Sequence, residues 1–157
     1  MSGQITAMIQ SFYDSFSKGN VEEMVSHYHS EAEFEDPAFG KLKGEEIKYM
    51  WRMLVKRSKG ELSVTYSDIK EKGDKGSAKW IAVYPFGPLK RKVTNHIQAE
   101  FEFKDGKIIR HRDRFSLWKW SGQALGWKGW LLGWTAIFKK QFQQQSRKFL
   151  AKFQGSY

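Results

Sequence analysis

The chain of 157 residues contains no cysteine, which removes disulfides, cysteine-ligated zinc and thiol nucleophiles from consideration. No run of about 18 apolar residues occurs, so no segment has the length to span a bilayer as a helix. The amino terminus, MSGQITAMIQ, lacks the basic stretch and apolar run of a secretory signal, and the expected location is the cytoplasm. With three prolines and no repeat or low-complexity linker, the chain reads as one domain. Acidic residues are missing from the whole carboxyl-terminal segment. None of the 17 Asp/Glu follows Asp113, whereas 7 of the 27 Lys/Arg fall within residues 119–157. Much of the net charge of +10 therefore sits in the tail, a distribution suited to an anionic partner such as nucleic acid or a membrane surface.

The chain does have strong periodicity. Ile5, Met8, Ile9, Phe12 and Phe16 recur at helical spacing. Gly19 stops that run, and Asn20 with Glu23 three positions on has the form of a capping box. A second helix carries Val21, Met24, Val25 and Tyr28, after which EAEFEDPAFG alternates Ala32, Phe34 and Asp36 and breaks at Pro37 and Gly40, a short strand and turn. A third helix after Gly44 places Ile47, Met50, Trp51 and Leu54 on one stripe. The period then falls from 3.6 to 2, predicting strands over 61–71, 77–86, 91–103 and 107–120, separated by KGDKG, FGPLK and KDG. The expected fold is α+β: a cone-shaped, curved antiparallel sheet with three helices over one face, spanning residues 1–120, plus a carboxyl-terminal amphipathic helix.

Strand parity assigns the concave lining to Trp80, Ala82 and Tyr84, to Asn95, Ile97, Ala99 and Phe101, and to Ile109, His111, Asp113 and Phe115. Arg110, Arg112 and Arg114 face outward. An imidazole and a carboxylate among apolar groups are either costly structure or useful chemistry.

FYDSFSKGNVEEMVSHYHSEAEFEDPAFG, the hairpin EFKDGKI and the closing HRDRFSLW, in this order over residues 4–120, resemble the SnoaL-like branch of the nuclear-transport-factor-two-like superfamily. That group includes ketosteroid isomerases, limonene epoxide hydrolases and polyketide cyclases. The resemblance implies a conical, cystatin-like α+β barrel with an apolar pocket for a small hydrophobic molecule, and a homodimer. Asp36 in FEDPAFG matches the place of the ketosteroid isomerase base. The oxyanion-hole places fall on Phe12 and Ala99, which cannot donate a hydrogen bond, and Tyr13 is one residue off. The epoxide hydrolase aspartate matches Asp113, but its Arg-x-Asp partner is replaced by Trp80-Ile81-Ala82. The polyketide cyclase pattern, a lone aspartate near the end of the sheet, is the least contradicted.

The candidate catalytic residues are therefore Asp113, His111 and Asp36. A carboxylate in an apolar cavity suits proton transfer near neutral pH, and His111 stands two residues away on the same face. Asn95 would orient a ligand carbonyl or bond His111 or Asp113. Asp36 would equally serve the turn at Pro37. Trp80, Tyr84, Ala99, Phe115, Phe12 and Trp51 are the candidate ligand wall, or plain core. His27 and His29 with Glu31, Glu33 and Glu35 fit no tight ligand geometry, so no metal or cofactor is expected. The functional expectation is isomerisation, cyclisation or hydration of a carbonyl-bearing molecule; the alternative is a noncatalytic binding module.

Residues 121–157 lie outside the resemblance. Leu131, Trp134, Phe138, Phe142, Phe149 and Phe153 share a helical stripe, with Lys139, Lys140, Arg147 and Lys152 elsewhere. Such a basic amphipathic helix packs over the domain or a partner, or lies on a membrane surface through residues 131–153. Glycines 126, 129 and 133 would let the chain turn closely across the sheet. Nucleic acid is not the expected partner, because Glu100 and Glu102 dilute the arginine face.

Overall fold

The computed structural model describes residues 3–156. Helices α1 (Gln4–Ser17) and α2 (Val21–Val25) lead into strands β1 (Tyr28–Asp36) and β2 (Gly40–Lys43). Helix α3 (Glu45–Ser58) precedes β3 (Ser63–Lys72), β4 (Lys75–Phe86), β5 (Arg91–Lys104) and β6 (Lys107–Arg114), and α4 (Leu117–Leu125), α5 (Trp127–Leu132) and α6 (Ala136–Gly155) close the chain. The capping box forms as expected: Asn20 accepts from the Glu23 amide at 3.3 Å and donates to the Glu23 carboxylate at 2.8 Å.

The strands make one curved sheet in the order β2-β1-β6-β5-β4-β3. Strands β3 to β6 are the antiparallel meander, but β1 joins β6 in parallel, so the sheet is mixed rather than wholly antiparallel. It is also unclosed, with β2 and β3 as its edges. The expected barrel is therefore an open cone. Helix α1 lies against β3 and β4 while α3 lies against β1 and β2, so the helices bridge the gap between the two edges. Phe12, Tyr13, Phe16, Phe34, Trp51 and Phe101 fill the interior and are all buried. Each such ring contributes roughly 1.5–3 kcal/mol through removal from water.

Two local expectations are corrected. Ile109 does not face inward; Glu102 pairs with Arg110 and Phe103 with Ile108, so Ile109 is the extra residue of a bulge and Ile108 takes the buried place. The last strand ends at Arg114, not at residue 120. Ser116 caps a helix there by accepting from the Lys119 amide at 3.2 Å, and Leu117, Trp120 and Ala124 form the buried face of α4.

The tail turns back over the domain. The Trp120 indole donates to the Tyr84 hydroxyl at 2.6 Å and its ring meets Phe86 and Phe142, which fastens α4 to the sheet. Helix α6 crosses the β1–β2 turn, where Gln143 donates to the Pro37 carbonyl at 3.1 Å and Arg147 to the carbonyls of Phe39 and Lys41. Leu150 is its buried anchor. Of the anticipated stripe, Phe138, Phe142 and Phe153 are half-buried against the domain while Leu131, Trp134 and Phe149 are exposed.

Candidate functional site

His111 and Asp113, one pleat apart on β6, are 1% and 4% exposed. Asp113 sits directly opposite Ala99, and His111 opposite Phe101 on one side and Phe34 on the other. Rings enclose the imidazole: Phe101 stacks on it at 4.4 Å between centroids, and Phe34 and Phe12 meet it edge-on at 5.0 and 5.8 Å.

A chain of hydrogen bonds runs through this apolar interior. The Trp51 indole donates to the Tyr28 hydroxyl at 2.9 Å, Tyr28 lies 2.6 Å from His111 Nδ1, and His111 Nε2 lies 2.9 Å from Asp113 Oδ1. The Trp80 indole reaches the same Asp113 oxygen at 3.4 Å. An ionised carboxylate only accepts, so the direction is set from the Asp113 end. Tyr28, accepting from Trp51, spends its own hydrogen on Nδ1, and Nε2–H donates to the carboxylate. A neutral imidazole in this tautomer satisfies every link, as a buried polar chain requires. Oδ2 of Asp113 receives no hydrogen bond from any described residue.

Two tyrosines join the candidates. Tyr28, which helical spacing places on the second helix, opens β1 and orients His111. Its period-two phase with Ala32 and Phe34 is the signal for that role. Tyr13 is buried, and its hydroxyl is the one buried side-chain polar atom without a partner among the described residues. Burial first, then the Asp113 charge, then Tyr28 push the Tyr13 hydroxyl well above the ordinary tyrosine value. Burial and Asp113 also raise Tyr28, against the Trp51 hydrogen bond, which lowers it. Both therefore remain O–H donors at neutral pH.

Asp36 is half-buried at the end of β1, and its Oδ1 accepts from the amides of Ala38 at 2.9 Å and Phe39 at 2.6 Å, so the turn role is filled. Burial raises its carboxyl to about 7, with the charges of Asp113 and Glu35 adding to the rise and the two amide bonds opposing it. Asp36 and Asp113 share an open cleft of about 490 Å³, rimmed by Arg112, Arg114, Lys139 and Arg147. The cleft is polar where the resemblance implies an apolar pocket. The expected wall lies elsewhere: Phe12, Trp51, Trp80 and Ala99 are packed in the core, and Tyr84 and Phe115 are half-buried beside α4. Asn95 faces the same side but pairs with Ala82. It stands four residues along β5 from Ala99, roughly 13 Å at strand rise, and does not bond His111 or Asp113. The ring of His27 bonds the carbonyls of Glu23 and Met24 and the hydroxyl of Ser11, and His29 accepts from the Glu31 amide.

The fold recurs in solved structures. Bal32a, from a soil-derived mobile gene cassette, aligns with a TM-score of 0.68 at 19% identity, covering 77% of this chain and 96% of its own. A putative polyketide cyclase from Xanthomonas campestris pv. campestris aligns at 0.62 and 17% identity, covering 77% and 96%. An epoxide hydrolase of M. tuberculosis, similar to limonene epoxide hydrolases, aligns at 0.61 and 18%, covering 82% and 92%. No curated protein matches the chain. The model of the SnoaL-like domain matches residues 9–111, from the first turns of α1 to the histidine of β6, and the chain belongs to the SnoaL-like family.

Proposed function

We propose that the domain binds a small carbonyl-bearing molecule at the cleft over Asp113 and moves a proton on it. The observation that carries this reading is the directed chain from Trp51 to Asp113, which fixes one oxygen of a carboxylate that lines a cleft. In the proposed step Oδ2 takes a proton from the carbon beside the carbonyl, the electron pair of that C–H bond forms the C=C bond of an enolate, and the π pair of the carbonyl moves onto its oxygen. Asp113 then returns the proton to another atom of the ligand. His111 and Tyr28 position the carboxylate. Isomerisation and cyclisation both begin this way, which accords with a polyketide cyclase among the fold relatives.

The close packing of rings around His111 favours a second reading, a binding module without turnover. One experiment separates the two. Cyclic ketones such as 2-tetralone are incubated with the protein in heavy water, and loss of the α-proton signal is followed by NMR alongside ligand-induced shifts. Proton transfer is expected to accelerate exchange, with Asp113→Asn losing about 100-fold or more while binding persists. Ligand shifts without accelerated exchange would establish the binding module instead.

A further inference from the structure

Helix α5 is built the wrong way round for a protein surface. Its small residues face the domain: a side chain at Gly129 would collide with the Ser121 carbonyl, and one at Gly133 with the Ser121 hydroxyl. The Trp130 ring covers Gly122 so closely that a side chain there would meet it. Its large apolar residues Trp127 and Leu131 follow helical spacing on the other face and continue into Trp134. Trp127, Trp134 and Ile137 are 70%, 73% and 72% exposed, and Leu131 and Leu132 are more than half exposed. A surface helix ordinarily turns its apolar stripe inward, and a contiguous exposed apolar patch marks an interaction site.

We propose that the α5 face, with the adjoining first turn of α6, docks onto an anionic lipid surface. Charge complementarity selects this occupant. Lys128 lies 5.7 Å over the Trp127 ring, Lys140 follows Ile137 by three residues, both are exposed, and no acidic residue occurs anywhere after Asp113. A second copy binding through the same patch would set these lysines against their own counterparts, since a twofold interface is self-facing. Tryptophan beside lysine is the composition that settles at headgroup depth, the indole ring apolar and its N–H able to reach polar groups. Among the described residues no helix is long and apolar enough to cross a membrane, so the contact is interfacial. The site is distinct from the face of α6 that carries Leu150, which is spent on packing.

The test is co-sedimentation of the full chain with vesicles of phosphatidylcholine alone and with about 30% phosphatidylserine, following tryptophan emission. Binding to the anionic vesicles, weakened by salt and accompanied by a blue shift, is the expected result. The triple variant Trp127→Ser, Trp134→Ser, Ile137→Ser should partition about tenfold or more weakly. Because these side chains are mostly exposed, its circular dichroism should match the parent. Lys128→Glu with Lys140→Glu, which leaves the apolar patch intact, should also weaken binding to anionic vesicles. Absence of binding by the folded parent, or binding indifferent to both variants, would overturn the proposal. So would a dimer, measured by light scattering, that the triple variant dissociates while the parent ignores vesicles; the face would then belong to a second copy.

Discussion

Tyr13 and Tyr28 offer the same chemical change at two buried positions with opposite expected signs. Tyr28→Phe removes a hydroxyl that accepts from Trp51 and donates to His111, stranding an indole N–H and an imidazole nitrogen. An unsatisfied buried group costs about 1–3 kcal/mol, so the loss should be about 3 kcal/mol after partial relaxation. Tyr13→Phe removes a hydroxyl that has no partner and keeps the ring stacked on Tyr66 at 5.4 Å. Its desolvation cost disappears with it, and stability should rise by up to about 1 kcal/mol. The two variants should thus differ by roughly 3–4 kcal/mol, read as urea midpoints at constant slope. For a domain of this size the corresponding separation in melting temperature is about 8 °C or more. Equal destabilisation by both substitutions would refute the reasoning, since it would mean that the Tyr13 hydroxyl has a partner in solution.

Asp36→Asn keeps the acceptor for the Ala38 and Phe39 amides while removing a carboxyl held at about 7 instead of 3.8. Between those values the folded state binds more protons than the unfolded one, so the parent should lose stability as pH rises from about 4 to 7 and level off above; urea titrations at pH 4.5 and 8 should show the Asn variant gaining on the parent by a margin several times larger at the higher pH. Gly129→Ala drives a methyl group into the Ser121 carbonyl, a backbone atom that cannot swing aside, and should cost about 2–3 kcal/mol. Amide exchange should locate that loss in α4 and α5 and leave β4 and β5 protected, because the sheet does not depend on the hairpin.

What was legible in the sequence was the face each residue occupies, wherever one period ran unbroken. His111 and Asp113 were placed inward by strand parity, and both are. Where two periods coincide, the reading chose wrongly. Tyr28 fits the helical spacing of Val21, Met24 and Val25 as well as the alternation of Ala32 and Phe34, and only the β1–β6 pairing decides for the strand. Phe115 and Leu117 continue the alternation of β6, yet Leu117, Trp120 and Ala124 also fit a helix; Ser116, as a cap, settles that conflict. The bulge at Ile109 depends on how β5 meets β6 and has no signature in β6 alone.

The partners of a buried polar group were not legible for a related reason. The chain that holds Asp113 draws on α3, β1, β4 and β6, and spacing within any one element says nothing about which hydroxyl will meet which nitrogen. The tail shows the same limit in reverse. A stripe of large apolar residues is read as the inward face because burial of such residues usually outweighs everything else on a helix. In α5 the distance of closest approach takes precedence: only glycine lets its backbone rest on Ser121 and Gly122, and once Gly129 and Gly133 are turned inward, the helical repeat carries Trp127 and Leu131 out into solvent. The exposure of those two side chains is therefore imposed by the packing of α5 on α4, where the Trp130 ring covers Gly122. Replacing them with polar residues should leave that packing unchanged and remove only what the exposed face binds.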